Sequence, residues 1–563
     1  MEWLAKLFDK HPEMGVYLAI GIGYLIGRLK FRGAGLGVVT GSLLGGVFLG
    51  IFFHMAVSDQ AKSILFLLFL FGIGYSVGPS FFRNLKGDGL RWAALGVFVP
   101  VIGLAAACIV ARFLKLDAGY SAGLLSGALT ESPAIGTASE AIRALPLTGA
   151  QQEQLIGHIA VADAICYIFG TFGVIWCCSS IGPKLLRIDL RSESKKVEST
   201  LGIHRSSLGV QSAWHPIGVR AYSVAQNAPI AGKTVADAEK AVPGARLFVE
   251  RIRRKGDIFA PPASTVLEAG DTVAVLGRTE ILVKVLGQAS TEVVDPELLE
   301  IPVASFGLYV TSKEIAGKTL REIAANVDET RAVFLRSVIR GGHSLPVGTE
   351  LIIERGDTLQ VTGSEAAVRK LAPLVGRVLS PVEESDLATL GITVFIGVLL
   401  GAVVAIPIGH MRLTLGTSVG TLLTALLVGW MRSVRPWFGR IPDAAILFMR
   451  SLGLAGFVAM IGLKAGPIFI NAVQQYGYVL FLGGVVVTLV PLLSGIIFGR
   501  YVLKLNPVLL LGGIAGAQTM IAGVAAMQEK SDSAIATLGY SYTVAIGHIL
   551  LTTWGSLIVA LMS

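Results

Sequence analysis

The chain has 563 residues, of which 53% are hydrophobic and only 15% are charged. A soluble protein of this size needs more charge to cover its surface, so lipid must be the solvent for much of the chain. The net charge of +9 does not indicate nucleic-acid binding, because the Lys and Arg residues cluster in short loops beside apolar runs, as they do in the cytoplasmic loops of membrane proteins.

Apolar runs long enough to cross a bilayer, each of about 20 residues, occur in two groups at the two ends of the chain. In the first group they fall near 14–31, 34–54, 61–82, 90–113 and 155–180. In the second group they fall near 388–408, 413–431, 443–470, 475–499 and 537–561. The runs predict membrane domains at residues 1–183 and 385–563 and a polytopic α-helical fold.

Two further apolar stretches, 119–142 and 506–528, are rich in glycine and are interrupted by polar residues. Lipid cannot satisfy the free backbone groups of a broken helix, so such a stretch must be buried in protein or line a cavity. We expect each stretch to enter the membrane as a re-entrant hairpin without crossing it.

Residues 184–384 carry frequent charges and short β-branched runs that end in glycine turns, which predicts a soluble α+β insert. The insert is itself repeated, because Gly270-Asp271-Thr272 and Gly356-Asp357-Thr358 each lie between two predicted strands at similar positions. This pattern resembles the regulator-of-potassium-conductance C-terminal (RCK_C) domain, whose hallmark is such a Gly-Asp turn before its last strand. The resemblance covers residues 205–290 and 295–378.

A basic strand in the insert has two interpretations. It contains Arg251, Arg253, Arg254 and Lys255, and Arg336 and Arg340 occupy similar positions in the second module. A regulatory anion such as a nucleotide is one possible partner. A solvated strand face is the interpretation that we favour.

Motifs of the first membrane domain recur in the second, in the same order. Gly74–Phe81 and Gly462–Phe469 share the pattern Gly-x-x-x-Gly-Pro-x-Phe, and Gly127–Thr130 resembles Gly516–Thr519. The further pairs are Gly23–Gly27 with Gly397–Gly401, Leu36–Leu44 with Leu415–Leu423, and Ala164–Ile168 with Ala545–Ile549. Such a series predicts an internal duplication of the membrane domain.

Loop charge predicts how the two repeats are oriented. If the first run exits into the cytoplasm, the cytoplasmic loops collect most of the Lys and Arg residues, as the positive-inside rule requires. These residues are Arg28, Lys30, Arg32, Arg83, Lys86, Arg91, Arg432, Arg435, Arg440, Arg500 and Lys504. Each half then has about five crossings and one re-entrant hairpin. The second half is therefore inverted, as in many secondary transporters, and the insert is cytoplasmic.

The breaks in the two hairpins are the first candidate substrate site. Helix ends at such breaks present free N–H groups that suit a carboxylate. The candidate binding residues are Thr130, Glu131, Ser132 and Pro133 in the first hairpin, and Gln518 and Thr519 in the second. The alternative is a helix kink whose hydroxyls bond to their own backbone.

The Gly-x-x-x-Gly-Pro motifs supply further candidates, which are Ser76, Gly78, Lys464 and Gly466. Their glycines and proline free backbone groups for a ligand, or they allow close helix packing. Lys464 lies in a long apolar run and needs an anion there. That anion is a substrate carboxylate, Asp163 or Glu131, unless the ammonium snorkels to the membrane surface.

Three ionisable residues in apolar spans are candidates for coupling or charge pairing. Asp163 is a proton relay or a charge partner, since an acid within the membrane is a functional hypothesis by default. His548 lines the same cavity or is a satisfied packing residue. Arg450 is a substrate clamp or lies near the membrane face.

Taken together, the duplicated membrane domain, the paired Gly-x-x-x-Gly-Pro-x-Phe motifs and the tandem Gly-Asp-Thr modules are similar to those of the aspartate:alanine exchanger family. The resemblance covers nearly the whole chain. It implies exchange of small carboxylates, such as aspartate for alanine or a dicarboxylate such as succinate, across the bacterial inner membrane. It also leads us to expect a homodimer in the lipid bilayer.

Other function classes remain open at this stage. An ion-coupled cation transporter could carry the same regulatory modules, although only Glu131 and Asp163 stand out as membrane acids. A ligand-gated channel ranks low, because channels usually show a repeated pore filter. The four cysteines lie in apolar stretches without metal-ligand spacing, and no catalytic arrangement of side chains is evident. We therefore expect no disulfide, no metal, no cofactor and no enzymatic activity.

Overall fold

A computed structural model describes the chain from Glu2 to Ser563, with gaps. The gaps are residues 29, 32–33, 36, 54, 56, 85–88, 204–216, 227, 229, 242–246, 287–289, 302, 327–332, 380–383, 409–410, 415 and 436–437. The predicted loop residues Arg32 and Lys86, and the predicted start of the first module at residue 205, lie outside the described residues.

Contacts between residues divide the chain into two compact units. The membrane unit comprises Met1–Glu198, Arg340–Pro346 and Val382–Ser563. The insert unit comprises Ser199–Ile339 and Val347–Pro381. The predicted division of the chain into apolar ends and a central α+β region is confirmed.

The first half of the membrane unit is a series of helices with one short strand pair. In chain order the elements are α1 (Glu2–Lys10), α2 (Pro12–Arg28), β1 (Lys30–Phe31), β2 (Ala34–Gly35), α3 (Gly37–Phe52), α4 (Asp59–Asn84), α5 (Gly89–Phe113), α6 (Ala118–Ala128), α7 (Pro133–Arg143), α8 (Gly149–Trp176), α9 (Gly182–Leu186) and α10 (Leu190–Thr200). A π-helical turn at Cys177–Ile181 joins α8 to α9.

The insert unit contains two antiparallel sheets. Its elements are β3 (Ile217–Ser223), α11 (Val235–Glu239), β4 (Leu247–Arg254), β5 (Asp257–Phe259), β6 (Thr272–Arg278), α12 (Thr279–Ile281), β7 (Thr291–Val293), α13 (Pro296–Leu299), β8 (Val303–Val310), α14 (Leu320–Asn326), β9 (Val333–Arg340), β10 (His343–Leu345), β11 (Thr358–Ser364), α15 (Glu365–Val375) and β12 (Gly376–Leu379). Of these, the segment that contains β10 belongs by its contacts to the membrane unit.

The strand orders confirm the predicted duplication of the insert. The first sheet has the order β5-β4-β6-β3-β7 and the second has the order β10-β9-β11-β8-β12, which is the same topology. The Gly-Asp turns precede β6 and β11, and Gly270 and Gly356 have φ values of +93° and +87° there. Positive φ is a conformation that glycine adopts without steric cost.

The second half of the membrane unit has fewer elements than the first and shares part of its order. Its elements are α16 (Leu387–Val403), β13 (Ala405–Ile408), β14 (Met411–Thr414), α17 (Thr417–Val434), α18 (Asp443–Ile497), α19 (Pro507–Ala517), α20 (Ile521–Ser531) and α21 (Ala536–Met562). A helix, a short strand pair and a second helix follow one another in both halves, after α1 in the first half. A pair of eleven-residue helices and one long helix follow later in both halves.

Within the described residues, six helical segments are long and apolar enough to cross a membrane. They are Asp59–Phe82, Gly89–Phe113, Gly149–Leu186, Thr417–Val434, Asp443–Val502 and Ala536–Met562. Two predicted spans, 34–54 and 388–408, are shorter as helices, at Gly37–Phe52 and Leu387–Val403. The second of these ends early because residues 405–408 form strand β13 instead.

The predicted spans 443–470 and 475–499 lie within one helical element, α18, from Asp443 to Ile497. The junction Asn471–Gln475 contains neither Gly nor Pro to end a helix. The element nevertheless bends back on itself. Leu480 accepts a hydrogen bond from Cys166 of α8, and it would lie about 45 Å from Arg450 along a straight helix. Yet Arg450 and Tyr167, the residue after Cys166, line one small pocket.

Glycines at helix crossings bring the membrane helices into close contact. A Cβ atom at Gly78 would lie 2.3 Å from the carbonyl oxygen of Leu426 in α17. A Cβ atom at Gly466 would lie 2.3 Å from the carbonyl carbon of Gly50 in α3. Both motif glycines therefore serve the close helix packing that the sequence offered as one alternative.

Replacing Gly466 by Ala is expected to destabilise the folded protein by about 1–3 kcal/mol, because the added methyl group overpacks the contact with Gly50. The measurement is the thermal midpoint of the detergent-purified protein. Gly391→Ala is the matched control, since a Cβ there meets nothing within 4 Å. Equal midpoints for the two variants would contradict the packing role.

Candidate functional site

A pocket lies where helices from both halves of the membrane unit meet. Its volume is about 130 Å³, similar to that of a cavity that holds one small organic molecule. The pocket is lined by Val39, Phe69, Ile73, Thr130, Glu131, Ser132, Pro133, Tyr167, Arg450, Leu454, Thr519 and His548. Six of the predicted site residues are therefore brought together: Thr130, Glu131, Ser132, Pro133, Thr519 and His548.

Two helix breaks with the same backbone geometry form one side of the pocket. Thr130, between α6 and α7, and Thr519, between α19 and α20, both have a φ of +56°. Glu131 N–H donates to Ser126 O at 2.8 Å, and Met520 N–H donates to Ala515 O at 2.9 Å, so both helices end in the same C-terminal capping motif. A β-branched residue rarely adopts positive φ, and such strain concentrates at functional sites.

The two breaks are hydrogen-bonded to each other. Thr130 Oγ1 donates to the carbonyl oxygen of Gln518 at 3.0 Å. Thr519 Oγ1 donates to Glu131 Oε2 at 2.7 Å. Thr130 and Thr519, proposed for one site from opposite halves of the chain, are thus each hydrogen-bonded to the opposite break.

Glu131 is the centre of this hydrogen-bond network. Its side chain is only 1% exposed. Besides the bond from Thr519, it accepts a hydrogen bond from Thr552 Oγ1 at 3.0 Å and lies 3.2 Å from His548 Nδ1. A carboxylate has about four acceptor positions, so three donors hold Glu131 in place and leave one position for a ligand.

Arg450 faces the same pocket from α18. A Cβ at Gly72 would lie 2.6 Å from Cγ of Arg450, so the side chain crosses α4 at a residue that leaves room for it. The guanidinium makes no hydrogen bond or ion pair with any residue that the structure describes. In the sequence, Arg450 stood out only as an arginine within an apolar run. A position near the membrane face explained that equally well.

The pocket keeps part of the symmetry of the predicted duplication. The repeat pairs Tyr167 with His548, and both line the pocket. It also pairs Thr130 with Thr519. Glu131 is paired with Met520, so the carboxylate is where the symmetry fails. Val39, Phe69, Ile73 and Leu454 supply an apolar wall.

Two predicted residues lie close to the breaks but do not line the pocket. Asp163 is buried in α8, where its Oδ1 accepts a hydrogen bond from Ser126 Oγ at 2.6 Å. Gln518 is buried too, and neither atom of its side-chain amide has a hydrogen-bond partner among the residues that the structure describes.

The motif residues predicted on α4 and α18 lie elsewhere. Ser76 donates to Ile73 O at 2.9 Å, within its own helix, and Gly78 and Gly466 pack against other helices. Lys464 does meet an anion, but its partners are Asp59 at 3.0 Å and Glu153 at 3.4 Å. The structure therefore pairs Lys464 with neither of the predicted acids, Asp163 and Glu131.

The basic strand of the insert unit is paired with carboxylates. Arg253 donates to Asp295 at 2.7 Å, and Arg254 donates to Asp271 at 2.8 Å. These bonds raise the pKa of both guanidinium groups and lower the pKa of the Asp295 carboxyl. Arg254 thus anchors the Gly-Asp turn, a structural role for the residue.

Neither metal ligation nor disulfide bonding appears in the part of the chain that the structure describes. No group of three His, Cys, Asp or Glu side chains there could hold a metal ion. All four cysteines are free.

Comparison with known proteins identifies both parts of the chain. Residues 15–183 and 389–560 match the Asp-Al_Ex family model, described as a predicted permease membrane region. Residues 219–286 and 307–376 match the TrkA-C domain, the RCK_C type expected from the Gly-Asp turns.

Full-length relatives agree with this assignment. An uncharacterized transporter of Bradyrhizobium diazoefficiens is 46% identical over 92% of this chain and 100% of its own length. Uncharacterized transporters of Bordetella parapertussis and Shewanella oneidensis are 38% and 36% identical, over 100% of this chain and 98% and 100% of theirs. The chain belongs to the Asp-Al_Ex family of membrane transporters, the aspartate:alanine exchanger type, with two TrkA-C domains inserted between its membrane halves.

Proposed function

We propose that this transporter exchanges small carboxylates across the bacterial inner membrane, with the Arg450 pocket as the substrate site. The observation that carries the proposal is the guanidinium of Arg450, which faces the pocket without a hydrogen-bond partner among the described residues. Glu131 interacts electrostatically with this guanidinium without a hydrogen bond, whereas a ligand carboxylate can accept two parallel hydrogen bonds from it. A substrate carboxylate is the anion that completes the site.

The position of Glu131 indicates which kind of carboxylate substrate the pocket would bind. Its free acceptor position lies in the same pocket as Arg450, so a ligand with one anionic and one cationic group satisfies both side chains. The α-amino acid alanine has this arrangement, and aspartate has it with a second carboxylate added. A dicarboxylate such as succinate brings a second negative charge towards Glu131. The pocket therefore favours the amino acids over the dicarboxylate.

The architecture supports alternating access to this pocket. Each half contains a helix, a short strand pair and a second helix, and each contributes a broken helix pair, α6–α7 and α19–α20. The proposal is that the pairs are re-entrant hairpins from opposite faces of an inverted repeat, and that the halves rock around the fixed site. The insert is cytoplasmic in this arrangement, as loop charge indicates, and its TrkA-C domains regulate exchange.

Counterflow into proteoliposomes tests the proposed activity. Labelled aspartate, alanine and succinate are offered to vesicles that are preloaded with each compound unlabelled. Accumulation that requires an internal carboxylate would support exchange. Potassium or sodium flux without any carboxylate counterflow would instead favour the ion-coupled cation transporter.

Thr519→Val is expected to weaken substrate binding about tenfold, because Glu131 loses a hydrogen bond of about 1.5 kcal/mol and its preferred orientation. The measurement is the Kd for labelled aspartate. Thr553→Val is the control, since the Thr553 hydroxyl donates only to Ile549 in its own helix. Substrate should also protect a cysteine at position 519 from a water-soluble thiol reagent. Unchanged affinity without protection would place the site elsewhere.

A further inference from the structure

Arg340–Pro346, which includes β10, belongs to the membrane unit by its contacts although it lies within the insert in the sequence. The ring of His343 packs edge-on against Tyr540 of α21, with centroids 5.0 Å apart and an interplanar angle of 88°. A Cβ at Gly341 would lie 3.8 Å from Ser80 Oγ in α4. The segment is thus held between α4 and α21, two of the helices that form the pocket.

The contact with Tyr540 places the segment next to the pocket. Tyr540 is 3% exposed and interacts electrostatically with Arg450 and Glu131. His343 in turn interacts electrostatically with Arg450 and His548. Tyr540 is therefore close both to His343 and to the two charged groups of the site.

The positive charge of Arg450 favours a neutral side chain at position 343. Burial, together with the nearby positive charge of Arg450, lowers the pKa of His343 to about 4. The imidazole is therefore neutral near pH 7 while the segment is in place. A positive charge at position 343 would be repelled by Arg450 and would favour departure of the segment.

We propose that the segment Arg340–Pro346 is a plug that closes the pocket at Tyr540, and that the pocket opens on this side only when the plug leaves. This proposal rests on the proposed function only for the identity of the substrate that passes the plug. The contacts of the plug do not depend on that identity. Both ends of the segment continue in the sequence into the second TrkA-C domain. A change in that domain can therefore reach the pocket through His343.

Pocket accessibility tests the plug without any substrate. The reporter is Thr519→Cys in a chain whose four native cysteines are replaced by serine or alanine. Its rate of reaction with a water-soluble methanethiosulfonate is measured in inside-out vesicles. His343→Ala should raise the rate about fivefold, and His343→Lys should raise it more, through a shift towards the open state. His343→Phe keeps the aromatic contact and should leave the rate unchanged.

A disulfide tests the opposite state. Gly341→Cys with Ser80→Cys, in the cysteine-free chain, brings two thiols within bonding reach. Oxidation should stop counterflow and dithiothreitol should restore it. Gly341 has a φ of +57°, so Cys is strained there, and the His343 variants serve as the independent arm.

The outcomes separate the plug from the proposed function. Equal labelling rates for the His343→Ala, His343→Lys and wild-type chains would overturn the plug, whatever the substrate is. Full counterflow with the disulfide formed would overturn it as well. Faster labelling in the His343→Lys chain, with no carboxylate counterflow in the wild type, would support the plug and reject only the proposed substrate.

Discussion

Replacing Arg450 by Gln should raise the Kd for aspartate about a hundredfold or more. Two hydrogen bonds to a charged group contribute about 1.5–3 kcal/mol each, and every 1.4 kcal/mol corresponds to a tenfold change in Kd. The measurement is binding of labelled aspartate to the detergent-purified protein, followed by counterflow in proteoliposomes.

Two further variants make this result specific. Arg450→Lys keeps the charge but cannot present a planar pair of donors, so its affinity should fall between those of wild type and Arg450→Gln. Arg440→Gln removes one positive charge from an exposed residue outside the pocket and should bind aspartate as the wild type does. Unchanged aspartate affinity in folded Arg450→Gln protein would contradict the assignment of the carboxylate site.

The helix breaks were predictable because their causes are local. Pro133 begins α7 at a position where its missing N–H is not needed, and the polar residues beside it interrupt an apolar run. The second break was found only because Gly516–Thr519 repeats Gly127–Thr130. The equal φ values at Thr130 and Thr519 show that the repeated residues adopt one backbone geometry.

The composition of the pocket could not be predicted because it depends on residues far apart in the sequence. Arg450 lies on α18 and Tyr167 lies on α8, and no local pattern in either helix signals that both line the pocket. The partners of Lys464 could not be predicted for the same reason, since Asp59 and Glu153 lie on two other helices. The sequence showed that an anion was needed there, but helix packing selects which one.

The Gly-x-x-x-Gly-Pro motifs illustrate a different limit. Small residues permit both close helix approach and exposed backbone, so the pattern is compatible with two functions. Only the neighbours of Gly78 and Gly466 distinguish them, and these neighbours are backbone atoms of α17 and α3. A motif that fits two physical roles cannot be assigned until its neighbours are known.

Substituting Glu131 by Gln is expected to change which substrate the pocket prefers. The amide keeps the size of the side chain but loses the negative charge that attracts a substrate ammonium group. Alanine affinity should fall about ten- to a hundredfold, the effect of losing one hydrogen bond between charged groups. Succinate should bind as well as before or better, because its second carboxylate no longer faces an anion.

The ratio of the two affinities is the decisive measurement, because a general loss of folding lowers both Kd values together. Glu529→Gln is the matched control. Glu529 is an exposed acid on α20, the helix that follows the second break, and it does not line the pocket. Its substitution should leave both affinities and their ratio unchanged. An equal loss of alanine and succinate binding in folded Glu131→Gln protein would show that Glu131 only positions Thr519, Thr552 and His548 and does not read the substrate's positive charge.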